Sequence, residues 1–234
     1  YKEKQLTDKK IIVDKIPGAS NHNGGRIKFG PDHFLYIATG DAENPSQAQN
    51  NNTLAGKILR VTDEGKPAPG NPFGNQIFSY GHRNVQGLAW NNDGTLWATE
   101  HGRSFPLSGL DELNLIQSGK NYGWPIIQGN ETKENMQTAQ KNSGGFTTWA
   151  PAGAAFAGNS LFFGGLKGEA LYEAVINNNQ VTTIKEHFKN EYGRIREVIL
   201  SPDGLLYITT SNQDGRGNPK AADDKIIKIN PGKL

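Results

Sequence analysis

The chain has 234 residues, of which 35% are hydrophobic and 29 are glycine. Its 25 Lys and Arg residues nearly balance 23 Asp and Glu residues, and the net charge of +2 is too small to indicate nucleic-acid binding. No cysteine is present, which excludes disulfides and thiolate metal sites, and no apolar run of about 18 residues predicts a membrane span.

Short apolar segments separated by turns run through the whole chain. The first, KIIV at residues 10–13, reads as a strand. A hairpin pattern then recurs, in which a Gly, Asn or Asp turn precedes a short strand with an aromatic residue. Clear copies lie at residues 30–41, 92–99 and 201–210, and a weaker copy lies at 158–165. Each is followed by a further short strand, at residues 56–61, 111–116, 170–175 and 224–229.

The spacing of these copies predicts the fold class. A period of roughly 50–60 residues built from short strands is typical of a β-propeller. We therefore expect an all-β propeller of four-stranded antiparallel blades, with about four blades present. Because an incomplete set of blades leaves sheet edges exposed, residues 1–234 are expected to be the C-terminal portion of a single larger propeller domain whose N-terminal blades are missing. A complete four-bladed ring is the alternative.

Two polar clusters precede predicted strands. The first, SNHNGGR at residues 20–26, contains His22, a side chain suited to accept a proton near neutral pH. The second contains Arg83 and Asn84, and an arginine offers a planar fork to anionic oxygens. The alternatives are a histidine that caps a turn and an arginine in a surface salt bridge.

Further cations stand at similar stations in later repeats. Lys167 lies in a glycine-rich turn, and Arg194 and Arg196 share one face of a predicted strand. Two parallel cations on one face repel each other unless an anion lies between them. Together with Arg83 they favour a small polyanionic ligand on the propeller axis, although each residue taken alone could be a solvated surface group.

A third group of residues offers hard oxygen ligands. The backbone around Gly102 and Arg103 lies near the carboxylates of Asp111 and Glu112, and Ca²⁺ prefers such oxygens. The spacing is not that of an EF-hand. The alternative is a loop that carries acidic turn residues.

Four ordered motifs carry a resemblance to a known family. They are GHRNVQG at residues 81–87, TEHG at 99–102, DELN at 111–114 and GKNYGWP at 119–125. With these motifs the chain resembles the soluble glucose and aldose sugar dehydrogenases, also called glucose/sorbosone dehydrogenases, from about His22 to Ile229. The resemblance implies a six-bladed propeller that uses pyrroloquinoline quinone (PQQ) and Ca²⁺ to oxidise aldoses at C1 to the lactone.

The same resemblance assigns roles to individual residues. His22 would be the general base that takes the C1 hydroxyl proton while hydride passes to the quinone. Arg83 and Asn84 would face the quinone oxygens, with Arg83 stabilising the charge that develops there. Lys167, Arg194 and Arg196 would bind the carboxylates of PQQ.

The resemblance also implies the metal sites and the setting of the reaction. The backbone carbonyls of Gly102 and Arg103 would hold the Ca²⁺ bound to the cofactor. Asp111, Glu112 and Tyr122 would lie near a second, structural Ca²⁺. The electrons would pass to an external acceptor, and the protein would act in the periplasm or outside the cell, with no membrane span and no nucleic-acid partner.

Two departures and two alternative functions accompany this expectation. Asn21 precedes the base where the family carries Asp, and Arg103 stands where Pro is usual. A non-enzymatic propeller that binds a sugar or a protein would scatter its cations over the solvent-exposed surface. A calcium-dependent propeller lactonase would instead ring an axial Ca²⁺ with carboxylates and Asn. Gathering of the cations around one funnel would favour the dehydrogenase.

Overall fold

The computed structural model of the protein describes residues 8–104 and 108–234. These residues contain fifteen β-strands and two short 3-10 helices, Pro45–Gln49 and Pro231–Lys233. In chain order the strands are β1 (Gly24–Phe29), β2 (Leu35–Thr39), β3 (Lys57–Val61), β4 (Ile77–Tyr80), β5 (Val85–Trp90), β6 (Leu96–Glu100), β7 (Glu112–Ile116), β8 (Lys141–Asn142), β9 (Pro151–Ala157), β10 (Ser160–Gly165), β11 (Leu171–Asn177), β12 (Gln180–His187), β13 (Ile195–Leu200), β14 (Leu206–Thr210) and β15 (Ile226–Ile229).

The strands form four separate sheets in which each strand pairs with its neighbour in the chain. The orders are β1-β2-β3-β4, β5-β6-β7-β8, β9-β10-β11-β12 and β13-β14-β15, and every pairing is antiparallel. Such consecutive meanders are the blades of a propeller, so the predicted fold class is confirmed. The fourth sheet has three strands in the described residues, where four were predicted.

The recurring pattern and the segment that follows each copy form the second and third strands of each blade. The four copies became β2, β6, β10 and β14, and the segments that follow them became β3, β7, β11 and β15. The outermost strands β4, β8 and β12 were not predicted. β12 shows why, since most of its residues are exposed and its sequence QVTTIKEH carries little apolar pattern.

The strand predicted at residues 10–13 is wrong. This segment is not in a sheet; Ile12 and Val13 instead pack against a cluster formed by Ile37, Leu59 and Ile77 on the first blade. An apolar run signals burial, but a strand also needs a ladder partner, and the segment has none in the described part of the chain.

The core lies between consecutive blades. Tyr36 and Ile58 of the first blade pack on Leu88 of the second, and Trp97 of the second packs in one cluster with Phe163 and Tyr172 of the third. Another cluster joins the third and fourth blades. Fully burying one such large side chain stabilises the fold by roughly 1.5–3 kcal/mol.

In three of the four blades, the first strand has a β-bulge near its N-terminal end. The pairing register shifts between Gly24 and Ile27 in β1, between Val85 and Gly87 in β5, and between Ile195 and Glu197 in β13. A bulge inserts an extra residue and redirects the side chains beside it. These ends of β1, β5 and β13 therefore direct polar side chains toward a common space.

The first and last sheets carry exposed apolar side chains. Ile27 and Phe29 of β1 are 62% and 59% exposed, and Ile199 of β13 and Ile226 of β15 are 51% and 77% exposed. In the described ranges, no helix is long and apolar enough to cross a membrane.

Candidate functional site

A cavity of about 690 Å³ lies at the bulged ends of β1, β5 and β13. Its wall is mostly polar, and it brings together residues far apart in the chain. The residues that line it are Ser20, Asn21, His22, Asn23, Glu43, Arg83, Asn84, Gln86, His101, Ser104, Leu166, Arg194, Arg196, Asp214 and Arg216.

His22 lies on the loop before β1, where its backbone has a positive φ of 57°. The loop packs tightly on Gly40, since a Cβ there would lie 1.7 Å from the carbonyl oxygen of His22. Nδ1 of the imidazole lies 3.0 Å from Oδ1 of the fully buried Asp41, and Nε2 lies 2.8 Å from Nη2 of Arg83. Because a guanidinium can only donate, Nε2 must accept, and the ring proton lies on Nδ1 and is donated to Asp41.

Arg83 fills the floor between His22 and the loop after β6. Its Nη2 also donates to the Ser104 hydroxyl at 2.9 Å, and its guanidinium carbon lies 5.3 Å from the ring centre of Trp124. The Nε atom is buried and has no hydrogen-bond partner in the part of the chain that the structure describes. Burial lowers the pKa of Arg83 from its ordinary value, although an arginine remains charged.

Glu100 holds the segment that carries Arg83 and Asn84. Its carboxylate accepts from the backbone N–H of both residues and lies 2.9 Å from Nδ1 of His82. Nε2 of His82 lies 2.9 Å from the hydroxyl of Ser79. These contacts have the order of a nucleophilic Ser–His–acid triad. All three side chains are buried, however, so the network fixes the loop and does not meet a substrate.

Arg194 and Arg196 converge on one carboxylate at the other side of the cavity. Nη2 of Arg194 and Nη2 of Arg196 lie 2.8 Å and 2.9 Å from Oδ2 of Asp214. Burial alone would raise the pKa of Asp214, but hydrogen bonds from the Arg194 side chain and the Arg216 backbone N–H, together with the charges of Arg194 and Arg196, lower it to about 2. Arg216 joins this loop to the other side of the cavity through Asn21, whose Oδ1 accepts from Nη2 of Arg216 at 3.1 Å.

His101 is a neutral member of the cavity wall. Its Nε2 lies 2.9 Å from the carbonyl oxygen of Pro151, to which it donates. Burial and the nearby charge of Arg83 lower the pKa of His101 to about 4. His101 therefore adds no charge to the cavity near neutral pH.

Of the five residues predicted to bind Ca²⁺, all but Asp111 line a second, much smaller cavity of about 10 Å³. It is lined by Glu100, Gly102, Arg103, Glu112 and Tyr122, among others. Burial, together with the negative charge of Glu100, raises the pKa of Glu112 to about 8. The buried carboxylate of Glu100 and the half-buried one of Glu112, with backbone carbonyls nearby, form a donor set that fits a hard cation.

Asp111 and Tyr122 are held by other contacts. The Asp111 carboxylate accepts from the backbone N–H groups of Gly102, Trp149 and Ala150 at 2.7–2.9 Å. The Tyr122 hydroxyl donates to one backbone carbonyl and accepts from one backbone N–H. Across residues 8–104 and 108–234, no group of three or more Asp, Glu or His side chains could hold a metal, so the Ca²⁺ roles stay predictions.

The structure thus gathers most of the predicted cofactor and catalytic residues in one place. His22, Arg83, Asn84, Arg194 and Arg196 all line the large cavity. Lys167 is exposed, and its neighbour Leu166 lines the cavity in its place.

Sequence reasoning missed Asp41, Trp124, Asp214 and Arg216. Asp41 had one available signal, because it lies two residues after the end of the predicted strand β2.

A family model, solved structures and curated relatives all relate the chain to the same protein family. The glucose/sorbosone dehydrogenase model matches residues 1–218. The PQQ-bound aldose sugar dehydrogenase of Streptomyces coelicolor superposes with a TM-score of 0.86 at 42% identity, over 92% of this chain and 64% of that one. The aldose sugar dehydrogenase YliI of Escherichia coli is 32% identical over 97% of this chain and 65% of its own length. The chain therefore spans slightly less than two thirds of the length of each of these relatives.

Proposed function

The chain belongs to the glucose/sorbosone dehydrogenase family, and we propose that the protein is a PQQ-dependent dehydrogenase that oxidises aldoses at C1 to lactones. One observation carries this proposal. A proton acceptor, His22, and three guanidinium groups, those of Arg83, Arg194 and Arg196, line the same cavity of about 690 Å³.

The cavity fits a small polyanionic cofactor. Arg194 and Arg196 already hold one carboxylate, that of Asp214, so their forks are oriented for carboxylate oxygens. The buried Nε of Arg83 is a donor with no acceptor in the described residues. Arg194 and Arg196 would hold the carboxylates of PQQ, and Arg83 and Asn84 would lie at its quinone oxygens. When bound, PQQ supplies a two-electron oxidant that accepts a hydride from the sugar, and Ca²⁺ polarises the quinone.

His22 supplies the proton acceptor. Its Nε2 carries the lone pair on the cavity side, and Asp41 holds the Nδ1 proton on the far side. In the proposed reaction the C1 hydroxyl of the sugar donates to Nε2 in place of Arg83. The proton moves onto Nε2, and the Asp41 carboxylate stabilises the resulting imidazolium. Arg83 stays beside the reacting atoms as a fixed positive charge.

Calcium would be held near the loop after β6. The carbonyls of Gly102 and Arg103 and the side chain of Glu112 are the donors we propose, with Glu100 beside them. The Asp111 carboxylate is engaged by three backbone N–H groups and would support the loop from behind. We further propose an external electron acceptor and a periplasmic or extracellular location, on the strength of the family resemblance.

Binding of PQQ by the purified protein tests the cavity directly. Replacing both arginines in Arg194→Ala/Arg196→Ala removes two charge-assisted contacts, each worth roughly 1.5–3 kcal/mol, so the Kd for PQQ should rise at least about 100-fold. Isothermal titration calorimetry measures this change.

The matched control is Lys189→Ala/Lys228→Ala, which removes the same charge away from the cavity and should leave the Kd unchanged. Equal affinity in the arginine variant and the wild type would reject this cavity as the cofactor site.

A further inference from the structure

Trp124 connects the two groups that contact His22. Its indole Nε1 donates to Oδ2 of Asp41 at 2.8 Å, and the guanidinium carbon of Arg83 lies 5.3 Å from its ring centre. Asp41 and Arg83 in turn contact the two different nitrogens of His22, at 3.0 Å and 2.8 Å. The four side chains form a closed circuit of contacts around the imidazole.

We propose that Trp124 is a positioning residue, which sets the tautomer and direction of His22 through Asp41 and Arg83. The inference rests on the proposed function only for its catalytic consequence. The circuit itself is a property of the folded chain. Trp124 is not itself among the residues that line the large cavity, so it acts through its two partners.

The effect on Asp41 follows from the environment of its carboxylate. The side chain is fully buried. Its Oδ1 accepts hydrogen bonds from Nδ1 of His22 and from the backbone N–H of Glu43, and its Oδ2 accepts one from the indole of Trp124. A buried ionised oxygen that loses its donor is strongly disfavoured, and the carboxylate would turn to find another. Such a rotation would withdraw Oδ1 from Nδ1 of His22.

The backbone of Trp124 is held in place independently of this circuit. Its N–H donates to the carbonyl of Gly81 at 2.9 Å, and its own carbonyl accepts from the side-chain amide of Gln49 at 2.7 Å. The backbone of Trp124, on the loop after β7, is therefore anchored to the segment that leads to Arg83. Removing the indole N–H should change the circuit without releasing the loop.

Trp124→Phe separates the two functions of the indole, because it keeps a ring beneath Arg83 but removes the donor to Asp41. Nitrogen-15 NMR of histidine-labelled protein, without cofactor or sugar, should show the wild-type His22 with a protonated Nδ1 and a bare Nε2. In Trp124→Phe the Nδ1–H signal of His22 should shift and broaden, because Oδ1 of Asp41 turns away from it, as it should when the carboxylate is removed in Asp41→Asn. In the dye-linked assay kcat should fall by up to about 100-fold while the Kd for PQQ stays unchanged.

Trp97→Phe is the matched control. The Nε1 atom of Trp97 is buried and has no hydrogen-bond partner among the described residues, so the same replacement there removes no such contact. The His22 signals should keep their wild-type positions in Trp97→Phe.

Two outcomes would overturn the inference. One is a wild-type Nδ1–H signal of His22 in folded Trp124→Phe. The other needs no variant: an indole N–H of Trp124 that exchanges with solvent as fast as a free indole would show that it does not donate to Asp41. If wild-type protein oxidised no aldose, the proposed function would fail, yet both NMR results would still decide the role of Trp124.

Discussion

His22 owes its direction to residues that are distant in the sequence. Asp41 reaches it from the end of β2, and Arg83 reaches it from the loop before β5. Asn21, which precedes the base where the family carries Asp, donates to Glu43 at 2.7 Å and does not hold the imidazole. The carboxylate that orients the ring therefore comes from position 41, and the departure at position 21 leaves that contact intact.

The sequence predicted those residues of the site that lie in polar clusters next to predicted strands. His22, Arg83, Arg194 and Arg196 stood out because polar groups cluster beside predicted strands, and the family motifs gave them roles. Asp41 and Trp124 were not predictable in the same way, because their hydrogen bond joins residues 83 positions apart. Only the arrangement of the blades brings that pair together.

His22→Ala is expected to abolish aldose oxidation, because loss of a positioned general base costs about 100- to 10,000-fold in rate. Binding of PQQ should be nearly unchanged, since the proposed carboxylate contacts lie at Arg194 and Arg196. Steady-state kinetics and calorimetric titration check the two halves separately. His187→Ala, on β12 of the third blade, is the control and should keep full activity. Wild-type turnover in His22→Ala would refute the assigned base.

Lys57, the first residue of β3, has a burial that the sequence did not predict. The sequence predicted β3, but a lysine at its first position is ordinarily solvent-exposed. Here Lys57 is fully buried, and its Nζ donates to the carbonyls of Gln47, Ala48 and Ala55 at 2.9, 3.1 and 2.6 Å. Lys57 thereby fastens the loop after β2, and Ala48 in turn accepts from the N–H of Gly81.

Lys57 should make stability depend on pH. Burial lowers its pKa from 10.5 to about 7 in the folded chain. Between these values the unfolded state binds a proton that the folded state lacks, so the free energy of unfolding rises with pH, by up to about 1.4 kcal/mol per unit. Urea unfolding at pH 7, 8 and 9 should show the advantage of the wild type over Lys57→Met growing with pH.

The exposed Lys185 provides the comparison for this experiment. Lys185→Met should differ from the wild type by a constant amount over the same pH range. A flat difference between the wild type and Lys57→Met would show that Lys57 stays protonated in the folded protein.

The hydrophobic pattern of the sequence did not predict the outermost strand of any of the first three blades. The inner hairpins were predicted because one Asp-Gly or Pro-Asp turn precedes an apolar strand. β4 and β8 follow long loops, and β12 follows a two-residue turn but is largely exposed, so apolar alternation does not identify any of the three. Their places are fixed by pairing with strands already formed.

On the scale of the whole molecule, the first and last sheets have apolar faces that the described residues leave open. Ile27 and Phe29 lie on one, and Ile199 and Ile226 on the other. Arg26 of β1 pairs with Glu197 of β13 across the axis, but this contact does not cover those side chains. We propose that residues 1–234 are part of a larger propeller whose further blades cover them.

Replacing Phe29 and Ile226 by Thr tests that proposal. Because both side chains are exposed, the free energy of unfolding should change by less than about 0.5 kcal/mol per site. Self-association, measured by analytical ultracentrifugation, should decrease. Ile208→Thr, which alters a buried residue of the last sheet, should instead destabilise the chain clearly. A large loss of stability in Phe29→Thr/Ile226→Thr would show that these faces are covered within the chain itself.

The most direct measurement of the central claim is dye-linked oxidation of a panel of aldoses by the purified protein, with Ca²⁺ present, before and after addition of PQQ. We expect activity that appears only with PQQ and is lost in His22→Ala. Absence of activity with every aldose, together with no spectral sign of PQQ binding, would contradict it and favour a propeller that binds or hydrolyses its ligand.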